Sequence, residues 1–219
     1  GPVQGDVIDV LNNHWCFSRN ELQTELSADV LVINDFSAQI LSVALLEDSD
    51  LHWLGASRPV LSDESVIAVV GPGTGLGVAA MTAAGDILPS EGGHVSFSPQ
   101  NQHEADLLSQ LWRRYDRVSA ERLLSGAGLE NLYWANCQLS GSGDSKELSA
   151  SEIAAGAVAG NENCLRTLKD FSAILGSFAG DAALMIGAID GVYLAGGILP
   201  KLLGLIDEEL LRQSFNDKG

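Results

Sequence analysis

Hydrophobic residues in this chain recur with two periods, one typical of strands and one typical of helices. Residues 66–70 are a continuous apolar run, glycines occupy every second position from 71 to 77, and a second apolar run follows. Two short apolar runs joined by glycines predict a β-hairpin over residues 66–80. The glycine spacing matches neither G-x-G-x-x-G nor G-x-x-x-x-G-K-[ST], so neither a dinucleotide-binding turn nor a P-loop is predicted.

The glycines of this hairpin leave its backbone N–H groups open to a ligand. Without side chains in the way, these groups can approach an anion closely, and the hydroxyl of Thr74 adds a donor. The pattern therefore favours a phosphate-binding turn of another kind. The alternative is a glycine-rich turn or bulge that requires positive φ angles.

A short β-branched run carries two polar residues at its end. Residues 29–33 are predicted to form a strand, and Asn34 and Asp35 follow it directly. Ligands of open α/β sheets lie beyond the carboxyl ends of strands, which favours a functional role for this pair. Phe36 and Ile40 then begin a helical pattern, and taken alone Asp35 is more typical of a residue that caps that helix.

Helical periodicity accounts for most of the remaining chain. Apolar residues three or four positions apart predict helices, and S-x-x-E patterns that can cap a helix begin at Ser18 and Ser149. Residues 1–13, 47–63 and 140–145 are predicted to be loops or polar connections. The predicted helices cover residues 18–26, 36–44, 102–115, 118–124, 129–139, 153–159 and 164–186, and the other predicted strands cover 85–88, 95–98 and 191–198. Ser125 and Gly126 are predicted to end the helix at 118–124.

Two short motifs place carboxylates and an imidazole where they can meet a ligand. Two glycines separate Glu91 from His94, so both side chains can reach one concave spot and hold neighbouring hydroxyl groups. The alternative is a surface turn with a solvated glutamate and an incidental histidine. Taken alone, Glu121 in the predicted helix 118–124 is typical of a solvated charge on a helix face.

A glycine pair ends the last predicted strand. Gly196 and Gly197 allow the backbone to approach a flat ligand, and Pro200 lies near the start of the helix that follows. Because helix N-termini favour anions, this segment is a further candidate for ligand binding.

Composition narrows the classes of partner. With 219 residues and 46% apolar content, the chain is large enough for one α/β domain and part of another. Its net charge of −17 disfavours nucleic acid and anionic membranes as partners, and no apolar run is long enough to span a bilayer. The three cysteines are widely spaced, which indicates reduced, buried thiols in a cytoplasmic protein and no zinc site.

Five motifs follow one another along the chain. They are Ile-Asn-Asp-Phe at 33–36, Gly-Pro-Gly-Thr-Gly-Leu-Gly at 71–77, Glu-Gly-Gly-His at 91–94, Val-Ser-Ala-Glu-Arg-Leu-Leu-Ser-Gly at 118–126 and Leu-Ala-Gly-Gly-Ile at 194–198. In this order they resemble bacterial ATP-dependent glucokinases of the actin-like, hexokinase-related ATPase fold, and the similarity covers essentially the whole chain. A related repressor/kinase family with a structural zinc site is less similar, because its Cys-rich motif has no counterpart here.

The resemblance implies a sugar site and assigns its residues. Asn34 and Asp35 would contact the sugar, with Asp35 as the general base on the 6-hydroxyl of D-glucose. Glu91, His94 and Glu121 would complete the set of groups that hold the sugar hydroxyls. This assignment favours catalysis over helix capping as the main role of Asp35, with capping as an additional one.

The resemblance also implies ATP and Mg²⁺ as cofactors. The backbone of Gly73, Thr74 and Gly75 would hold the ATP phosphates, and Gly196 and Gly197 would lie beside the adenosine. No side-chain metal site is predicted.

The fold implied by the resemblance is the α/β actin-like ATPase (ribonuclease H-like) fold, with mixed sheets flanked by helices. Residues 1–46 would be the remainder of a small domain, and residues 47–219 would form most of the large domain. The chain starts with Gly1 and Pro2, its only methionines are Met81 and Met185, and it ends just after a helical pattern, which is typical of an excised piece. A homodimer is a further expectation from the resemblance.

Glucokinases also carry an Asp-x-Gly-Gly-Thr phosphate loop near their start and a final helix that returns to the small domain. Neither pattern occurs in this sequence. We therefore expect the 219-residue chain on its own to be weakly active or inactive. The alternatives left open are a kinase for another hexose or an amino sugar, and a sugar-binding or regulatory module without catalysis.

Overall fold

The chain forms a four-stranded mixed sheet with helices on both faces and a separate two-stranded hairpin. The computed structural model describes residues 5–9, 14–55, 65–142, 147–188 and 190–219. The strands are β1 (Val7–Asp9), β2 (Cys16–Ser18), β3 (Val66–Pro72), β4 (Leu76–Thr82), β5 (Ile87–Ser90) and β6 (Val192–Leu194). The helices are α1 (Arg19–Leu26), α2 (Asp35–Ser42), α3 (Gln102–Leu111), α4 (Gly126–Leu139), α5 (Ala150–Val158), α6 (Glu162–Ile186), α7 (Leu199–Leu202) and α8 (Glu208–Asn216).

The predicted glycine hairpin is the centre of the sheet. Strands β3 and β4 pair antiparallel, β5 adds to β4, and β6 runs parallel to β3 on its other side. Gly71 pairs with Gly77 and Pro72 with Leu76, so residues 73–75 form the turn. The turn therefore projects from the end of the sheet where β6 also ends.

The alternation of side chains along the hairpin creates two hydrophobic cores. Val69 and Ala79 are opposite each other and pack with Ile40 of α2 on one face. Val70 and Val78 are the next pair and belong to the larger core, which α3 to α6 cover on the other face. Helix α2 thus packs on the sheet, while the division into residues 1–46 and 47–219 stays a prediction.

The helix caps predicted from the two S-x-x-E patterns are confirmed. The Ser18 hydroxyl accepts a hydrogen bond from Glu21 N at 3.1 Å and begins α1. At α5 the bonds are reciprocal, because Ser149 Oγ accepts from Glu152 N and the Glu152 carboxylate accepts from Ser149 N.

The prediction of a strand at residues 29–33 is wrong. This segment has no regular secondary structure and no ladder pairing, and Leu31 is 79% exposed. A strand needs a neighbour for its N–H and C=O groups, and among the described residues none pairs with this segment. The strand predicted at residues 95–98 is also wrong, since it makes a single bridge from Ser96 to Ser119.

The helix predicted at residues 118–124 is a single 3₁₀ turn, Ala120–Arg122. Ser125 was predicted to end that helix, but its hydroxyl accepts from Gly128 N and begins α4, three residues before the predicted start. The polar lead at residues 1–13 contains β1 in its described part. Residues 1–4, 10–13, 56–64 and 143–146, and with them parts of three predicted loops, lie outside the described residues.

The cysteines are only partly as predicted. Cys137 and Cys164 are buried and free, but Cys16 is exposed. Burial, with the neighbouring Cys137 as a smaller cause, raises the pKa of the Cys164 thiol. In the described parts of the chain, no helix is long and apolar enough to cross a membrane.

A buried polar cluster connects three helices of the larger core. Asp170 of α6, only 8% exposed, accepts a hydrogen bond from Asn136 Nδ2 of α4 at 2.8 Å. Its other oxygen lies 2.9 Å from His103 Nε2 of α3. The carboxylate therefore satisfies polar groups that the core would otherwise leave without partners.

Asp170→Ala is expected to lower the free energy of unfolding by about 2–4 kcal/mol, because it leaves the Asn136 amide in the core without a hydrogen-bond acceptor. Asp181→Ala is the matched control, since Asp181 lies on the same helix and its carboxylate, 43% exposed, pairs with Lys218 at 2.8 Å. This pair is partly exposed, and Lys218 would keep its hydrogen bond to Ser177 Oγ at 3.0 Å, so its loss is expected to cost about 1 kcal/mol. Urea unfolding measures both variants, and equal losses would contradict the role of the buried cluster.

Candidate active site

The turn of the hairpin is held by neighbouring backbone. Gly73 N donates to Gly75 O at 2.7 Å, which closes the turn and leaves Thr74 exposed at its tip. Gly73 O accepts from Gly126 N at 3.0 Å, and Gly126 is the first residue of α4. The beginning of a helix therefore lies directly beside the turn, where its N-terminal dipole favours an anion bound there.

The glycine pair after β6 lies against the same hairpin. Gly196 has φ of +85°, and a Cβ at this position would be 2.3 Å from Pro72 O. Ile198 N donates to that oxygen at 3.3 Å. A Cβ on Gly197 would meet nothing within 4 Å, so there is open space beside it. The structure thus brings the two predicted nucleotide-binding segments together.

Gly71, Gly75 and Gly77 of the hairpin are required by close neighbours and not by their φ angles. None of Gly71, Gly73, Gly75 and Gly77 has a positive φ, so the alternative of a strained turn is wrong. A Cβ on Gly75 would lie 2.4 Å from Glu121 Oε2. Side chains are absent here because other groups occupy the space.

Glu91, His94 and Glu121, which the resemblance groups around the sugar, lie next to one another and form a cluster. His94 lies between the two carboxylates, with Nε2 3.7 Å from Glu91 Oε2 and Nδ1 3.7 Å from Glu121 Oε1. These separations are longer than hydrogen bonds. The side chains are 53%, 58% and 32% exposed in sequence order, so the cluster faces solvent and can receive hydroxyl groups.

Glu121 connects this cluster to the hairpin. Its Oε2 accepts a hydrogen bond from Leu76 N at 3.0 Å, and Leu76 is the residue that follows the turn. Its other oxygen faces His94. One carboxylate therefore fixes the distance between the cluster and the predicted phosphate turn.

The short turn that carries His94 is held from two sides. A Cβ on Gly93 would lie 1.9 Å from Leu76 O, so this glycine allows the turn to sit directly on the hairpin. Arg117 Nη2 donates to His94 O at 2.6 Å. Arg117 gives no local signal in the sequence, because it lies 23 positions away from His94.

Asn34 and Asp35 begin α2, and their capping roles differ from the prediction. Asn34 is the N-cap, since its Oδ1 accepts from Ser37 N at 2.6 Å. Asp35 is exposed and, among the described residues, accepts a hydrogen bond from Phe36 N alone, at 3.1 Å. Capping is therefore performed by Asn34, whose amide NH₂ remains able to donate to a ligand.

The structure does not link Asp35 to the Glu91–His94–Glu121 cluster. No hydrogen bond or ion pair joins them within the described ranges. Helix α2 packs on the sheet through the buried Ile40 and through the ring of Phe36, which lies against Gly71 and Gly77 of the hairpin. In the part of the chain that is described, no group of three His, Cys, Asp or Glu side chains is arranged to bind a metal ion.

The whole chain is similar to known proteins. The family model described as glucokinase matches residues 1–219. The chain is 43% identical to the glucokinase of Chromohalobacter salexigens over 222 residues, an alignment that covers 100% of this chain and 69% of that protein. The chain therefore spans about two thirds of the length of this relative.

Solved structures give the same assignment. The crystal structure of a glucokinase from an Antarctic psychrotroph is 37% identical, with a TM-score of 0.91 over 100% of this chain and 69% of that one. A ROK family glucokinase from Streptomyces griseus, solved with glucose and AMPPNP, has the same fold at 14% identity, with a TM-score of 0.59 over 91% of this chain and 62% of that one. These neighbours confirm the predicted actin-like ATPase fold.

Proposed function

The chain belongs to the glucokinase family, and we propose that it uses ATP to phosphorylate the 6-hydroxyl of D-glucose. The observation that carries this proposal is the position of Glu121. It links a solvent-facing cluster suited to hydroxyl groups with a glycine turn suited to phosphates. Phosphoryl transfer requires these two sites to be adjacent, because the acceptor hydroxyl and the phosphate must be in line.

The sugar would be held by its hydroxyl groups. The carboxylates of Glu91 and Glu121 accept hydrogen bonds, while His94 can donate or accept. The amide NH₂ of Asn34 would donate to a further oxygen, because its Oδ1 is occupied by Ser37 N. Such a site selects its sugar strongly, since a sugar without a matching hydroxyl leaves polar groups unpaired.

Asp35 would remove the proton from the 6-hydroxyl during transfer. Its carboxylate is exposed and accepts one hydrogen bond from the described part of the chain, so it retains acceptor capacity for a substrate. General bases of this kind contribute about 10²- to 10⁴-fold to the rate of a reaction.

The phosphates of ATP would lie along the turn at residues 73–75. The nearest atoms to a Cβ on Gly73 are 3.9 Å away, and Gly197 faces open space, so a phosphate chain has room there. The use of ATP is supported by the AMPPNP bound to the distant S. griseus neighbour. Mg²⁺ would neutralise phosphate charge and would be bound mainly by phosphate and water oxygens. Within the turn, Thr74 supplies the only side-chain oxygen.

Calorimetric titration of this chain with D-glucose, mannose and N-acetylglucosamine tests the sugar assignment. We expect selective binding of D-glucose at millimolar or better, about −4 kcal/mol or stronger. His94→Ala should weaken it about tenfold or more, because a hydrogen bond to a polar group is lost. The matched control is His52→Ala, which removes an exposed histidine that pairs with Glu208.

Equal affinity for the three sugars would contradict glucose specificity and favour another hexose or an amino sugar. Absence of binding to a folded chain would contradict the site itself. The chain on its own is expected to release little ADP with glucose, since it spans 69% of the length of its C. salexigens relative. Sugar binding without turnover in the full gene product would instead support a regulatory module.

A further inference from the structure

We propose that Phe36 is a positioning residue that fixes Asp35 relative to the phosphate turn. Its ring packs on two paired glycines, Gly71 and Gly77, which are called the seat below. This inference rests on the proposed function, because it assumes that Asp35 is the base. Its physical basis is the packing of α2 on the hairpin.

The seat consists of Gly71 on β3 and Gly77 on β4, which are direct partners across the strands. A Cβ on Gly71 would lie 2.6 Å from Cε1 of the Phe36 ring, and a Cβ on Gly77 would lie 1.9 Å from Cε2. The two glycines therefore contact opposite edges of the same ring. Any side chain at either position would displace it.

Neither glycine is required for backbone conformation. Both lie inside strands, where glycine weakens the sheet, and neither has a positive φ. The close approach of the ring is therefore the structural reason for glycine at both positions. The cost in strand stability is matched by a contact that only these glycines permit.

The seat is adjacent to the phosphate turn. Only the pair Pro72 and Leu76 separates it from residues 73–75, and Leu76 N is held by Glu121. The contact of the ring with this part of the hairpin therefore fixes its position relative to both the turn and the sugar-binding cluster.

Asp35 depends on this contact for its position. Its carboxylate has one hydrogen bond among the described residues, to the N–H of Phe36 itself. Ile40, one turn further along α2, anchors the helix in the core but lies farther from the carboxylate. A displacement of about 1 Å at a reacting group can cost about 10²-fold in rate, so the ring controls catalysis without touching substrate.

The test compares Phe36→Leu, Gly77→Ala and the double variant in the full gene product. Each single variant should lower kcat about 10- to 100-fold and leave the glucose dissociation constant within about twofold. Adding Gly77→Ala to Phe36→Leu should cost little more, because the shorter leucine leaves room for the new methyl group. If the loss of kcat in the double variant equals the product of the two single losses, the two changes act independently and the proposal is overturned.

Ile40→Val is the control for loss of stability alone. It removes one methyl group from the same core, so it should lower the unfolding midpoint with kcat within about twofold. If it lowers kcat as much as Phe36→Leu, the effect is general destabilisation and the proposal fails.

Asp35→Asn distinguishes a wrong assignment of the base from a wrong assignment of Phe36 as its positioning residue. If it keeps wild-type kcat, the proposed base is wrong and this inference falls with it. If it loses kcat while Phe36→Leu and Gly77→Ala do not, the proposed function stands and only the positioning role is wrong.

Discussion

Asp35→Asn in the full gene product is expected to lower kcat about 10²- to 10⁴-fold, with D-glucose binding within about threefold of wild type. The amide cannot take the proton of the 6-hydroxyl, so the step that needs a base is lost. Its size is unchanged and its Oδ1 can still accept from Phe36 N, as the carboxylate does at 3.1 Å. A coupled assay for ADP measures kcat, and calorimetry measures glucose binding.

Asp29→Asn is the matched control for this experiment. Asp29 is exposed on the extended segment before α2, so neutralising it changes the net charge of the chain by the same amount. It should leave kcat within about twofold, because exposed substitutions away from a site have small effects. A loss of glucose affinity equal to the loss of kcat in Asp35→Asn would indicate a binding residue and not a base.

The features that the sequence predicted correctly are those specified over short distances. The hairpin at β3 and β4 follows from two apolar runs joined by glycines, and its strands are adjacent in the chain. The cap at Ser149 involves a residue only three positions away. Such patterns require no knowledge of distant partners.

Predictions failed where a distant partner decides the structure. Residues 29–33 have strand composition, but composition does not supply a neighbouring strand. Ser125 was assigned to the end of one helix because a serine and a glycine suit either end, and only the bond from Gly128 N identifies it as the start of α4.

In the candidate site, too, the features that are local in sequence could be predicted and the contacts between distant residues could not. Glu91 and His94 were singled out together because they are close in sequence. The bond from Leu76 N to Glu121 spans 45 positions and could not be predicted from spacing. The contact of the Phe36 ring with Gly71 and Gly77 could not be predicted either, because the sequence shows the glycines but not the group that approaches them.

Glu121→Ala is expected to weaken D-glucose binding about 10²-fold and to raise the KM for ATP about tenfold. Truncation removes hydrogen bonds to sugar hydroxyls from a charged acceptor, each worth about 1.5–3 kcal/mol. It also leaves Leu76 N, at a residue only 6% exposed, without its acceptor. Loss of that bond makes the end of the phosphate turn less ordered, so a change in a sugar-binding residue also weakens ATP binding.

Glu121→Gln separates these two effects at a single position. The amide keeps an oxygen that can accept from Leu76 N, but it loses the charge and one acceptor that face His94 and the sugar. Glucose binding should therefore weaken while the KM for ATP stays within about twofold. If Glu121→Gln and Glu121→Ala raise the KM for ATP equally, the bond to Leu76 does not order the turn. In that case Glu121 acts on the sugar alone, and the turn must be held by Gly75 O and Gly126 N, the other two backbone groups bound to Gly73.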